Sequence, residues 1–206
     1  MRYQIRIIAG SLRGRKLTLV AEPTLRPMAD RARAALFSIL GDAIPDRAFF
    51  DVFAGSGAVG MEALSRGAKH ATFVEREPRA VTDILKHLET FGIAKQAKVI
   101  RADAYRWADK FLSPKEPVNL FLGPPYQEFA KHFDAIAWIV QTLQQRAPVG
   151  SVLAVQSDSR FPTEELPLAE EWDVRNYGRT QLAIWTKMAE LPDRAAVVER
   201  SATPKP

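Results

Sequence analysis

Two short segments carry the residues with the clearest chemical consequence. Residues 51–60 read Asp-Val-Phe-Ala-Gly-Ser-Gly-Ala-Val-Gly, and residues 123–126 read Gly-Pro-Pro-Tyr. Gly55, Gly57 and Gly60 fit the spacing G-x-G-x-x-G. A strand pattern precedes them and a helical pattern follows, a context that gives the bare spacing its weight. Glycines permit a sharp turn and close approach of a ligand to the backbone. The helix start offers free N–H groups and a positive dipole end. Glu75 lies 20 residues beyond Gly55, at the end of the next strand pattern. A carboxylate there can accept hydrogen bonds from both hydroxyls of a ribose. Asp103 ends a third such unit, where an acid can hold an adenine amino group. Two cofactors fit the loop. A dinucleotide would set pyrophosphate on it, whereas S-adenosylmethionine brings an ammonium. Asp51 favours the second, because a carboxylate beside pyrophosphate repels it.

The second segment closes a strand pattern at 119–122, and open α/β sheets bind ligands outside such strand ends. Two prolines fix φ and remove two N–H donors, leaving carbonyls as acceptors. Tyr126 follows as a ring on which a flat base can stack, while the carbonyls catch its exocyclic amine. Acceptors on the N–H bonds aim a nitrogen lone pair and take up developing positive charge. Gly123, Pro124, Pro125 and Tyr126 are thus the candidates for catalysis of methyl transfer to an amine.

These residues need a scaffold. From residue 49, strand and helix patterns alternate: strands at 49–53, 72–75, 98–100, 118–122 and 151–156, helices at 59–66, 79–91, 104–111 and 133–145. Repeated βα units imply an α/β fold with a mostly parallel sheet covered on both faces and right-handed crossovers. Residues 172–177 and 181–187 read as a closing antiparallel pair turning at Gly178. Ahead of the sheet, 3–8 and 16–20 read as a β-hairpin punctuated by Gly10, Ser11 and Gly14. A helix at 29–40 follows, with Ala32, Leu36, Phe37 and Leu40 on one side. The expected division is a hairpin extension at 1–28, the catalytic domain at 29–188 and a fraying tail at 189–206.

Composition narrows the class. The chain has 206 residues and no cysteine, which excludes a disulfide framework and thiolate metal sites. His70, His87 and His132 lack metal-ligand spacing, so no metal is expected. No apolar run reaches the roughly 20 residues that cross a bilayer, and Arg6, Arg13, Arg15 and Lys16 interrupt any leader-like stretch. A cytoplasmic monomer with no membrane partner is the expectation. The net charge of +5 is uneven: residues 1–33 hold eight basic and two acidic residues, leaving 21 basic and 22 acidic for the rest. A basic patch on a neutral body is the footprint of a polyanion. Arg6, Arg13, Arg15, Lys16, Arg26 and Arg31 are the candidate nucleic-acid contacts.

The chain resembles the RsmD-type methyltransferases of bacteria, which modify the N2 amine of a guanine in 16S ribosomal RNA. The resemblance spans about 5–187. It is carried by Arg6-Ile-Ile-Ala-Gly, Gly14-Arg-Lys-Leu, Leu25-Arg-Pro, Asp30-Arg, the run from Asp51 to Ala68, Phe73-Val-Glu and Tyr177-Gly-Arg-Thr. It implies a Rossmann-like class I fold with seven strands, the last antiparallel, and S-adenosylmethionine as cofactor. It further implies that Asp51, Phe53, Ala54, Gly55, Ser56 and Gly57 surround the methionine end, Glu75 the ribose, and Asp103 with Ala104 the adenine. The hairpin would grip ribosomal RNA within a small-subunit particle, and the helix around Asp30 and Arg31 would close over the cofactor.

Two positions depart from the family pattern. Gly123 replaces the aspartate of Asp-Pro-Pro-Phe or Asp-Pro-Pro-Tyr, and His87 replaces an asparagine. Loss of one transition-state acceptor costs on the order of 2 to 4 kcal/mol, about a hundredfold in rate. Three outcomes fit Gly123: the backbone carbonyls suffice, another acid such as Glu128 substitutes, or the chain binds RNA without turnover. A DNA amino-methyltransferase is a further alternative, weakened by the lack of a domain to read duplex sequence. A dinucleotide oxidoreductase lacks any residue set for hydride transfer.

Overall fold

The computed structural model describes residues 2–20 and 28–191; Arg26 and the tail beyond 191 lie outside them. Strands β1 (Arg2–Arg6) and β2 (Lys16–Val20) form an antiparallel hairpin, with Ile5 opposite Leu17. Helix α1 (Asp30–Leu40) follows. Then come β3 (Ala48–Val52), α2 (Ala58–Ser65), β4 (His70–Glu75), α3 (Pro78–Phe91), β5 (Ala97–Arg101) and α4 (Ala104–Asp109). The second half holds β6 (Asn119–Leu122), α5 (Tyr126–Lys131), α6 (Phe133–Arg146), β7 (Val152–Asp158), β8 (Asp173–Tyr177) and β9 (Thr180–Thr186). Short 3₁₀ turns join some of these elements. The seven-stranded sheet has the order β5-β4-β3-β6-β7-β9-β8, with β9 antiparallel to both its neighbours. The mostly parallel sheet is the one expected from the alternating pattern, and its seven strands form the Rossmann-like architecture that the resemblance implies.

Alternation along each strand decides the two faces. Phe49 and Phe73 point into one apolar cluster with α1, α2, α3 and the hairpin residues Ile5, Ile7, Leu12 and Leu17. Val52, Val74, Leu120, Leu122, Leu153 and Val155 point into the other, against α4 and α6. Helix α3 illustrates the local logic. Pro78 starts it where no N–H is needed, Ile84, His87, Leu88 and Phe91 form its buried stripe, and Gly92 at φ 72° ends it in the left-handed conformation. Gly60 is required by packing: a Cβ there would lie 2.3 Å from the Phe73 ring, so α2 sits directly on β4.

The hairpin is built into the domain. Glu62, fully buried on α2, accepts the Ile8 and Ala9 amides at 2.7 and 3.0 Å and the Arg66 Nε at 2.9 Å. Arg33 is also fully buried, 3.7 Å from Glu62, and donates to the Arg6 and Met28 carbonyls and to Asp30. It therefore leaves the basic patch to which the charge count assigns it, because its charge is spent inside on a carboxylate pair and two carbonyls. His87 acquires a role here. Its Nε2 accepts the Thr18 amide of β2 at 3.1 Å, so the ring is neutral at that atom, and burial holds its pKa below the ordinary histidine value.

Candidate active site

The strand order reverses between β3 and β6, and at such a switch point the two following loops part and leave a crevice. Asp51 pairs with Phe121 and Val52 with Leu122, so the glycine loop and the Gly-Pro-Pro-Tyr segment leave the sheet side by side. The Gly123 amide donates to the Val52 carbonyl at 3.1 Å and the Ala54 amide to Val74 at 3.0 Å, anchoring both loops at their roots. Between them lies a cavity of about 890 Å³, walled by both loops, β4, the start of α3, α5 and the end of β7. That volume suits a nucleoside cofactor with part of a second ligand.

On the loop side, Phe53 (φ 64°) is a non-glycine residue in the left-handed region, a strained conformation of the kind found at functional sites. Its ring meets Tyr105 edge-on at 5.7 Å. Gly55 (φ 52°) and Gly57 (φ 71°) complete the turn. Phe53, Ala54, Gly55 and Ser56 line the cavity. Gly57 faces the other way, toward Ile84 and Met61, and caps α2 rather than forming wall. Asp51 is buried, lines the cavity, and accepts the Gly60 amide at 2.8 Å. Burial pushes its pKa to about 7; the Gly60 hydrogen bond opposes this and the nearby Glu75 charge adds to it.

Glu75 stands at the end of β4 on the cavity wall. Its carboxylate accepts the Gly55 amide at 2.7 Å and the Arg76 and Glu77 amides at 2.8 and 2.9 Å. A carboxylate has about four acceptor sites, so roughly one stays open to a ligand hydroxyl. Asp103 follows β5 as expected and N-caps α4: its Oδ1 accepts the Tyr105 and Arg106 amides at 3.1 and 3.2 Å, and the cavity wall beside it is made by Ala102 and Ala104.

On the other side, Gly123, Pro124, Pro125 and Tyr126 all reach the cavity. Pro125 is the N-cap of α5, an element the Pro-Pro pair conceals in the sequence, and its carbonyl accepts the Glu128 amide at 2.8 Å. One of the expected free acceptors is thus consumed. The Gly123 and Pro124 carbonyls accept no hydrogen bond from the described residues. The Tyr126 hydroxyl lies 3.5 Å from both Gln156 Nε2 and Thr180 Oγ1. Gly123 has an ordinary backbone, yet a Cβ on it would lie 2.8 Å from Phe121 Cε1. Glu128 lines the cavity and accepts the Tyr105 hydroxyl at 3.1 Å; burial, then that carboxylate, holds the phenol pKa far above its usual value.

Sequence reading missed the wall contributed by the closing strands: Gln156, Asp158, Arg160 and Arg179. The match at Tyr177-Gly-Arg-Thr was its only signal. The cations of the hairpin turn, Arg13 and Arg15, fall elsewhere. Arg6, Arg13, Arg15 and Lys16 are exposed, but the hairpin turn sits on the C-terminal ends of α2 and α3. Ser11 N–H donates to Ser65 O at 2.7 Å, and Arg15 lies 5.6 Å from the Phe91 ring. In a parallel βα layer those helix ends lie at the edge away from the cavity. The 14 residues of α3 put Arg15 about 20 Å from it. Arg31 is exposed on the first turn of α1, close to the cavity-lining Met28.

A seven-stranded sheet with this order and a strained glycine loop at its switch point defines the Rossmann-like methyltransferase class. The family model described as "Conserved hypothetical protein 95" matches residues 5–186, and the chain belongs to that family, the RsmD-type methyltransferases. Ribosomal RNA small subunit methyltransferase D of Escherichia coli K12 is 44% identical over 126 residues, which span 60% of this chain and 61% of that protein. The solved structure of yhhF from Escherichia coli has a TM-score of 0.73 at 31% identity, covering 91% of this chain and 100% of that one. That of the Thermus thermophilus 16S rRNA N2 G1207 methyltransferase RsmC, in complex with AdoMet and guanosine, covers 91% of this chain and 50% of that one, with a TM-score of 0.66. At 21% identity it shares the fold.

Proposed function

We propose that the chain transfers a methyl group from S-adenosylmethionine to the N2 amine of a guanine in small-subunit ribosomal RNA, acting as a cytoplasmic monomer on an assembling particle. The observation that carries this reading is a single cavity shared by the glycine loop with its buried Asp51 and by the Gly-Pro-Pro-Tyr segment. The bound cofactor supplies an electrophilic methyl group on a sulfonium. Asp51 pairs with the ammonium of its amino-acid head, and that positive charge draws the carboxyl to its ionised form. Glu75 offers its remaining acceptor site to the ribose, and Ala102 and Ala104 leave an apolar surface for the adenine. The Gly123 and Pro124 carbonyls would accept the N–H bonds of the target amine, direct its lone pair and stabilise the positive charge that develops as the N–C bond forms and the S–C bond breaks, with the surplus amine proton passing to water. The Tyr126 ring, tethered by Gln156 and Thr180, stacks on the base.

The test is methyl incorporation from labelled S-adenosylmethionine into small subunits that lack the modification, with naked 16S RNA and duplex DNA beside them. Incorporation into RNA at a guanine N2 is expected. Labelling of duplex DNA alone, or none at all, sinks the reading. One observation favours a second reading, an RNA-binding homologue without turnover. A Cβ at position 123 would meet the Phe121 ring at 2.8 Å, so a carboxylate there needs that ring to shift. Cofactor and RNA binding with no incorporation would mark that case.

A further inference from the structure

We propose that Arg160 and Arg179 form a phosphate-binding site at the cavity mouth that holds the RNA backbone beside the target nucleotide; this rests on the nucleic-acid reading of the same cavity. Arg13 and Arg15 lie at the opposite edge of the sheet, whereas Arg160 and Arg179 line the cavity itself, on the side of Tyr126.

The end of β7 and the turn before β9 meet there. Ser159 N–H donates to Arg179 O at 3.0 Å, which fixes the two segments together. Both arginine side chains line the cavity and are highly exposed, at 81% for Arg160 and 76% for Arg179. Asp158 sits between them, only 15% exposed. Its carboxylate takes the Arg160 Nε at 2.7 Å, and Arg179 Nη2 approaches it to 4.0 Å. The effect is orientation. Arg160 is held through Nε, so both its terminal nitrogens stay available for bidentate contact with a phosphate. Arg179 has only a long contact to release. The same segments carry Gln156 and Thr180, which hold the Tyr126 hydroxyl, so phosphate grip and base platform share one rigid support.

The experiment measures the affinity of a short single-stranded guanine-containing RNA against salt, with S-adenosylmethionine affinity as a control for folding. Native protein is compared with R160Q/R179Q, R160K/R179K and R13Q/R15Q. Losing two phosphate contacts on single-stranded RNA lowers the slope of log K against log salt by about 1.4. That drop is expected in R160Q/R179Q with cofactor affinity unchanged, while R160K/R179K keeps most of the slope. An unchanged slope in R160Q/R179Q, or an equal loss in R13Q/R15Q on this short RNA, overturns the proposal. Methyl incorporation by the native chain is scored separately. A slope change without incorporation leaves the phosphate site standing and removes the proposed reaction; incorporation with no slope change does the reverse.

Discussion

The substitution Gly123→Asp restores the family carboxylate, and the structure predicts that it does so at a cost set by one neighbour. A Cβ at position 123 lies 2.8 Å from Phe121 Cε1 and 3.2 Å from Cζ. Ordinary carbon contacts begin near 3.5 Å, so the ring must shift by more than half an ångström. Phe121 is 3% exposed and packed in the core on one side, with the cavity on the other, so the shift disturbs its core contacts. Overpacking of this kind costs about 1 to 3 kcal/mol. Gly123 is not in the left-handed region, so no torsional penalty adds, and loss of glycine freedom in the unfolded chain returns about 0.4 to 1 kcal/mol. The net loss is about 1 to 2 kcal/mol, a fall in Tm of roughly 2 to 8 °C for a chain of this size. Phe121→Val alone opens a cavity costing about 2 to 4 kcal/mol, but G123D/F121V lets the new side chain use that space. A thermodynamic cycle by denaturant unfolding should show a favourable coupling of at least about 1 kcal/mol. Methyl incorporation should rise more in the double variant than in G123D, by up to about a hundredfold if the carboxylate is the missing acceptor. Additivity within about 0.5 kcal/mol would refute the steric argument.

Asp51 has its pKa raised to about 7, so the apo fold favours its protonated form and loses stability as pH climbs from about 4 to 7. D51N should flatten that trend, by on the order of 4 kcal/mol at pH 8, and weaken S-adenosylmethionine binding. In the native chain calorimetry should show that affinity falling as pH drops below 7; a pH-independent affinity contradicts the ammonium pairing. His87 is held neutral with its pKa lowered, so its contribution is present above about pH 6.5 and fades as pH falls toward the lowered value. H87A should lose about 1 kcal/mol at pH 7.5 and show a weaker acid sensitivity, read by denaturant titration at two pH values. E62A removes the buried carboxylate beside Arg33, leaving it Asp30 alone, and should cost about 3 kcal/mol, with faster hydrogen exchange at the Ile8 and Ala9 amides. Normal protection there would disprove the anchoring role.

What the sequence made legible followed from periodicity and turn chemistry. The strand at 49–53, the glycine loop and the helix after it are one continuous local pattern, and β3 with α2 reproduce it within two residues. What stayed hidden depends on three-dimensional neighbours. Arg33 reads as a free surface charge until burial pairs it with Glu62. Asp103 reads as a ligand acid, and its second role, N-cap of α4 through Oδ1, shows only in the structure. Helix α5 has six residues and follows two prolines, too short a run to show a period. Gln156 and Arg179 lie 23 positions apart and become one wall only through the antiparallel β7–β9 register.

The departures from the family pattern fall unevenly about the switch point. Asp51 to Ala68 and Glu75 keep the pattern, and their geometry is tight: a left-handed Phe53, a buried carboxyl on the helix start, and Glu75 closed on the Gly55 amide. Gly123 lies on the acceptor side, where the Phe121 ring stands 2.8 Å from the place of a Cβ and Glu128 holds the Tyr105 hydroxyl. Left-handed Phe53 and buried Asp51 each cost on the order of 1 to 3 kcal/mol, and both stand on the glycine-loop side of the cavity; the proposed acceptors of the target amine stand on the Gly-Pro-Pro-Tyr side. Restoring or removing acceptors there should alter methyl transfer by orders of magnitude and cofactor affinity by less than about threefold.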